Sequence, residues 1–223
     1  MASQSNNAAD HGAAAADAHE TYQQFRSDCS RPVHGPTAGY IPNVLVQIHD
    51  QRKALFYEDL LYGKTALIGC ISGRSGDGCG LLETLVEVQS LLGDQLGKTV
   101  YIYCITTDPE HDTPEVLQRL AERHGARDGW LFLTGEPGPL GLLRQRLFSH
   151  SGGKDCSLTL VRYGNEAVGL WGGLSSAASA KAMVERLSWV RSRQAGTLLS
   201  RRKGPLPLAG ADSEPHGEPS QHS

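Results

Sequence analysis

From about Tyr40 onward the chain alternates short apolar runs with segments whose apolar residues recur at helical spacing. Asn43–His49 alternates apolar and polar, which predicts a strand with one covered face, and Ala54–Tyr57 reads as a short extended piece. Thr65–Ile71 and Thr99–Ile105 are nearly unbroken apolar runs, as expected of strands covered on both faces. Between them Leu81, Leu85, Val88 and Leu92 sit on one helical face, widened by Leu82 and Val86. A second helix follows. Asp112 or Thr113 caps it, Pro114 takes its first position, Val116, Leu117, Leu120 and Ala121 form its stripe, and Gly125 can end it.

Trp130–Leu133 predicts a short strand, and Pro139–Phe148 a helix through Leu140, Leu143 and Leu147. Ser157–Arg162 and Ala167–Trp171 read as a hairpin around the turn Tyr163–Glu166, and Ala177–Arg193 as a closing helix with Ala182, Met183, Leu187 and Val190 inward. This order predicts an α/β, thioredoxin-like three-layer sandwich with a central mixed sheet and a closing β-hairpin. An open doubly wound sheet is the alternative, and the late hairpin fits it poorly. The expected domain spans residues 39–196. Residues 1–38 and 197–223 lack apolar periodicity and are rich in small, polar, Pro and Gly residues, the composition of loosely attached or disordered ends.

Composition then narrows the function. A net charge of −3 over 223 residues gives no footprint for nucleic acid. No apolar run approaches the ~20 residues of a membrane span, and no basic segment followed by an apolar one opens the chain as a secretory signal would. Localisation is left open between the cytoplasm and an exported protein lacking its leader.

The five cysteines are Cys29, Cys70, Cys79, Cys104 and Cys156, an odd count at irregular spacing and so no disulfide framework. Cys70 and Cys104 lie inside strand-like runs and read as small buried hydrophobes, while Cys29 lies in a polar segment. Cys79 is different. The run Ile68–Val88 is a strand, a Gly-rich turn and a helix, and it places Cys79 at the helix mouth. There the unpaired N–H groups and the helix dipole stabilise a thiolate.

Several segments resemble the SCO/SenC family. They are Tyr40-Ile-Pro-Asn-Val44, Leu55-Phe-Tyr-Glu-Asp-Leu60, Gly63-Lys64, Thr107-Asp-Pro-Glu-His-Asp-Thr-Pro114 and Gly129-Trp-Leu-Phe-Leu-Thr-Gly135. The resemblance implies a thioredoxin-like copper protein that assists assembly of cytochrome c oxidase, as copper chaperone or as thiol reductant. It implies a copper-receiving oxidase subunit or its assembly factors as partner, and the periplasm or mitochondrial intermembrane space as compartment. The family's site resembles Cys-x-x-x-Cys-Pro at the first helix with a distant His in an Asp-His-Ser segment.

Here the pattern departs. Ser75 stands at the first cysteine, Cys79 at the second and Gly80 at the proline, while Asp155-Cys156-Ser157 puts Cys156 at the histidine. The resemblance therefore implies Cys79 and Cys156 as the candidate pair, for Cu(I) or for a disulfide if their Cα atoms come within about 7 Å. His150 is a further candidate ligand, against the alternative of a solvated loop histidine. The alternatives are an inert relic of a lost site for Cys79 and a partly buried strand-end cysteine for Cys156. Asp77 reads as a helix-start residue, and Arg74 and Lys154 as cations that would favour a thiolate nearby. Asp108, Glu110 and Asp112 are either structural or partner-facing. His111 stands where the family often has Arg, and Trp130 and Phe132 read as core or rim.

Three functions remain: a divergent copper-delivery or thiol-maintenance protein, a thiol-disulfide oxidoreductase or peroxidase-like enzyme using Cys79 and Cys156, and a binding module that kept the fold and lost the chemistry.

Overall fold

The computed structural model of the chain describes residues 34–73, 80–148 and 158–193. Its elements follow the predicted order: β1 (Leu45–Ile48), β2 (Lys53–Leu55), a single π turn (Phe56–Leu61), β3 (Thr65–Ile71), α1 (Leu81–Leu92), β4 (Val100–Thr106), α2 (Pro114–Arg123), β5 (Trp130–Thr134), α3 (Pro137–Phe148), β6 (Leu160–Asn165), β7 (Leu170–Ser175) and α4 (Ala180–Arg191). The seven strands form one mixed sheet in the order β2-β1-β5-β4-β3-β6-β7. β3, β4 and β5 are parallel, and the outer pairs are antiparallel. This is the thioredoxin-like sandwich expected from the sequence.

Strand alternation sends side chains into two cores. Leu67, Ile71, Ile102 and Cys104 face α1, α2 and α4, whereas Ala66, Ile68, Cys70, Tyr103 and Ile105 face α3 and the π turn. Cys70 and Cys104 are thus buried in neighbouring strands, on opposite faces of the sheet. The Trp130 indole N–H donates to Cys104 Sγ at 3.2 Å. Trp130 and Phe132 are core residues, at 1% and 0% exposed.

The closing hairpin departs from expectation. Tyr163–Asn165, read as a turn, are paired strand residues, and the turn is the short helical segment Glu166–Val168 ending on Gly169 at φ 64°. Gly164 suggested a turn by its identity, yet its place is explained by packing: a Cβ there would meet the Trp171 ring at 2.4 Å. The strand β7 accordingly runs on to Ser175 and the last helix starts later, with Ser179 as its cap accepting the Ala182 N–H. Ala180 rather than Ala182 fills the buried position.

Glu166, at 0% exposed, is held from three sides: by the Tyr57 hydroxyl, by the Gly63 N–H at 2.8 Å and by the Thr37 hydroxyl at 3.3 Å. Burial, and next the bond to Glu166, push the Tyr57 phenol up to about 12.

Candidate functional site

Because β3 and β4 are parallel, the chain leaves both at the same end of the sheet, through Ser72-Gly73 and Thr107-Asp108. β6 enters antiparallel to β3 with Ile68 opposite Arg162, so Leu158–Leu160 lies at that end too. The segments 74–79 and 149–157 fall outside the described residues, and with them Arg74, Ser75, Asp77, Cys79, His150, Lys154 and Cys156. The expected Cys79–Cys156 proximity falls outside the described residues as well. Among the described residues no group of three or more His, Cys, Asp or Glu could hold a metal.

What the structure does describe is the frame on which those segments hang. Helix α1 starts at Leu81 behind Gly80, whose φ of 61° lies in the left-handed region. Gly80 at its N-cap has no side chain to cap it, and the first N–H groups of α1 lie at the same sheet end. Cys79, expected in the first helical turn, is two positions ahead of Leu81 in the chain.

The signature segment Thr107–Pro114 forms the opposite wall. Thr107 donates twice to the last carbonyl of β3, Ile71 O, from its N–H at 2.8 Å and its hydroxyl at 3.1 Å. Asp112 is 1% exposed, and its carboxylate accepts the Gly73 N–H at 3.0 Å and the Thr106 hydroxyl. It therefore does not cap α2. Thr113 occupies the cap position without a side-chain cap bond, and Pro114 follows as expected. Gly73 is required by this contact, because a Cβ there would lie 2.4 Å from Asp112 Oδ1. The acidic cluster consequently splits: Asp112 is an internal clamp, Glu110 is exposed, and Asp108 pairs with the exposed His111 at 2.8 Å. From the other layer, Arg144 of α3 donates to Thr107 O at 3.0 Å.

Beside this wall lies a cavity of about 490 Å³ between the β1–β2 hairpin and the start of α2, lined by Asn43, Leu45, Leu55, Pro109, Pro114 and Pro139 among others. Asn43, expected as the first residue of a strand and part of a family-like segment, lies ahead of β1. In the structure it is 2% exposed, and its side-chain oxygen accepts the N–H groups of Tyr57 and Glu58, each at 3.1 Å. A buried Asn ahead of a strand-and-turn unit is the signal that could have marked it.

At the far end, His49 packs edge-on against Phe132 and accepts that residue's N–H on Nδ1 at 3.3 Å. Burial lowers its pKa, against a smaller opposing pull from Asp50.

The SCO1/SenC family model matches residues 47–148. No curated protein matches the chain in sequence. Among solved structures, yeast Sco1 with copper bound is similar at 19% identity and a TM-score of 0.55, covering 71% of this chain and 92% of that one. Bradyrhizobium japonicum ScoI with copper bound is similar at 16% identity and 0.51, covering 66% and 96%. BsSco, described as a member of the Sco family of cytochrome c oxidase assembly proteins with a disulfide switch, is similar at 17% and 0.54, covering 68% and 92%. These likenesses establish the fold. Together with the motifs read from the sequence, the family match identifies residues 47–148 as SCO1/SenC sequence carried on a thioredoxin-like fold.

Proposed function

We propose that this chain is a SCO1/SenC-type accessory protein for respiratory oxidase assembly, handling Cu(I) as cargo through Cys79 and Cys156 in place of the family's two cysteines and histidine. One observation carries the reading. The described frame converges on a single sheet end, where Asp112 ties Gly73, just before the Cys79 segment, to the signature loop. Leu158, two positions after Cys156, lies at the same end. Two thiolates suit Cu(I), which is soft and accepts few ligands, while loss of the imidazole position disfavours Cu(II). A helix N-terminus favours the thiolate form of a cysteine placed just ahead of it, and Cys79 precedes the start of α1 by two positions in the chain. His150 is a third candidate ligand within reach of the same segment in sequence.

The test is a Cu(I) competition assay on the full chain, with Cys79→Ala and Cys156→Ala beside wild type. Copper bound through both thiolates is lost in either variant. Equal Cu(I) retention by wild type and Cys79→Ala would remove the copper reading.

The disulfide switch named for BsSco favours a second reading on the same residues. The Cys79 thiolate attacks a partner disulfide and forms a mixed disulfide. Cys156 then attacks the Cys79 sulfur and releases the partner as a dithiol. The partner gains two electrons, and the chain is left as the Cys79–Cys156 disulfide. Thiol counting before and after exposure to an oxidised partner peptide separates the readings, since only the exchange consumes two thiols per chain.

A further inference from the structure

The sheet end opposite Gly73 carries a cleft of its own. The whole of β3, about 20 Å of strand, separates Lys64 ahead of its start from Gly73 beyond its end. Around Lys64, the turn of the β1–β2 hairpin, the π turn and the loop into β5 enclose about 510 Å³. That volume suits a small molecule, and the lining is open to one: His49, Lys64, Tyr101, Ala126 and Leu131 all border the cleft and are only half-buried.

Lys64 is placed by two unlike contacts. Its ammonium donates to the Asp59 carbonyl at 2.6 Å and stands over the face of the Tyr101 ring, 4.9 Å from the centroid. That ring is backed in turn by Tyr103, stacked at 6.2 Å. A carbonyl and a ring face hold this charge, not a carboxylate. Burial accordingly lowers the Lys64 pKa, against a smaller opposing pull from the Asp59 side chain. The neighbouring acids are largely engaged elsewhere. Asp50 pairs with Arg52 at 2.6 Å, and the Asp59 carboxylate accepts the Leu55 N–H at 2.7 Å. Lys53 and Arg127 add further cations to the lining, against Asp128. His49 adds a donor, because its Nδ1 accepts the Phe132 N–H and the neutral ring then carries its proton on Nε2. The lining is thus net positive on a chain whose net charge is −3.

We infer that this cleft binds a small organic acid, whose carboxylate pairs with the Lys64 ammonium and whose hydrocarbon body lies on Leu131 and Ala126. The slight surplus of positive charge suits a monoanion, whereas the Asp59 and Asp128 carboxylates in the lining repel a dianion such as phosphate more strongly. The site goes beyond the proposed function and is independent of it, since its residues lie at the other end of the sheet.

The test is titration of the isotope-labelled full chain at low salt with hexanoate and 3-phenylpropionate, with acetate, inorganic phosphate and hexylammonium beside them. Both organic acids should produce saturable shifts of the Lys64 methylene next to the ammonium, the His49 imidazole and the Leu131 methyls. Their affinity should exceed that of acetate, and hexylammonium should give no shifts. Lys64→Met removes the charge but keeps the stem, and should weaken binding about tenfold or more, while Lys64→Arg should retain it. Lys53→Glu, at an exposed position, should weaken binding without loss of fold. Absence of saturable shifts with both acids overturns the proposal. So does wild-type affinity in Lys64→Met, or in Lys53→Glu should Lys64→Met fail to fold. An equal response to phosphate would mark a diffuse basic surface, and a stronger one to hexylammonium a cation site, and either overturns it.

Discussion

The Asp112 carboxylate accepts the Gly73 N–H at 3.0 Å across 39 positions of sequence, and with it the Thr106 hydroxyl. One buried side chain thereby joins the exit of β3, the end of β4 and the signature loop. Asp112→Ala would leave a half-buried N–H and a buried hydroxyl without their acceptor, a loss of about 2–4 kcal/mol. Gly73→Ala should break the same contact from the other side, because its Cβ would lie 2.4 Å from Asp112 Oδ1. Denaturant unfolding of both variants and of the double variant checks this. Shared destabilisation means the double falls well short of the sum.

That clamp shows where sequence reading stopped. Strand and helix identity was legible because burial imposes periods of 2 and 3.6 on the residues themselves. The run Thr65–Ile71 even has the observed bounds. Asp112 was legible as structural but not in its role, since a helix-capping acid and an acid accepting from a strand 39 residues away have the same local sequence. Gly164 misled for a related reason: its small size serves Trp171 across the hairpin, and the positive φ that makes the turn belongs to Gly169. Asn43 and Glu166 carried no periodic signal, because single buried polar groups are specified by partners distant in sequence. Of the candidate pair Cys79 and Cys156, the structure describes the frame at Gly73, Gly80 and Leu158.

A pH effect follows from Tyr57, whose phenol is raised from 10.0 to about 12, by burial first and by Glu166 next. A pKa raised in the folded state means that the unfolded chain releases this proton at lower pH. The stabilisation is fully present below pH 10.0 and is lost as pH rises toward about 12. Tyr57→Phe should cost about 1–3 kcal/mol at neutral pH through the lost bond to Glu166. Its stability should also fall less steeply above pH 10.0 than that of wild type. Tyr103, likewise raised by burial, is common to both proteins and contributes equally. Urea unfolding at stepped alkaline pH measures the difference.

His49 acts at the other end of the scale. Burial lowers its pKa below 6.5, and the Phe132 N–H occupies the Nδ1 lone pair. Here the unfolded chain takes up the proton first as pH falls, so the folded state loses stability below pH 6.5 until the folded imidazole also charges. His49→Gln should flatten that decline. The imidazole resonance of the native protein should titrate below 6.5, and a value at or above it would contradict the assignment.

The last prediction concerns the ligand set itself. In this sequence Ser75 stands where the resemblance implies a first cysteine, and its hydroxyl is a poor donor for a soft ion. Cys156 stands at the implied histidine, which adds one thiolate and removes the imidazole that suits Cu(II). Wild type should therefore retain Cu(I) against a competing chelator and fail to retain Cu(II). Ser75→Cys adds a third thiolate four positions before Cys79 and should tighten Cu(I) retention. Cys156→His should restore Cu(II) binding only when combined with Ser75→Cys, since that double change rebuilds the full trio. Cys79→Ala should abolish retention in every background, because Cys79 is common to every version of the set. The discriminating measurement is copper stoichiometry after gel filtration with chelator, for each variant in both oxidation states. If Ser75→Cys leaves Cu(I) retention unchanged while Cys79→Ala removes it, position 75 lies outside the ligand set, and the metal is held by Cys79 and Cys156 with His150 as the third donor to test.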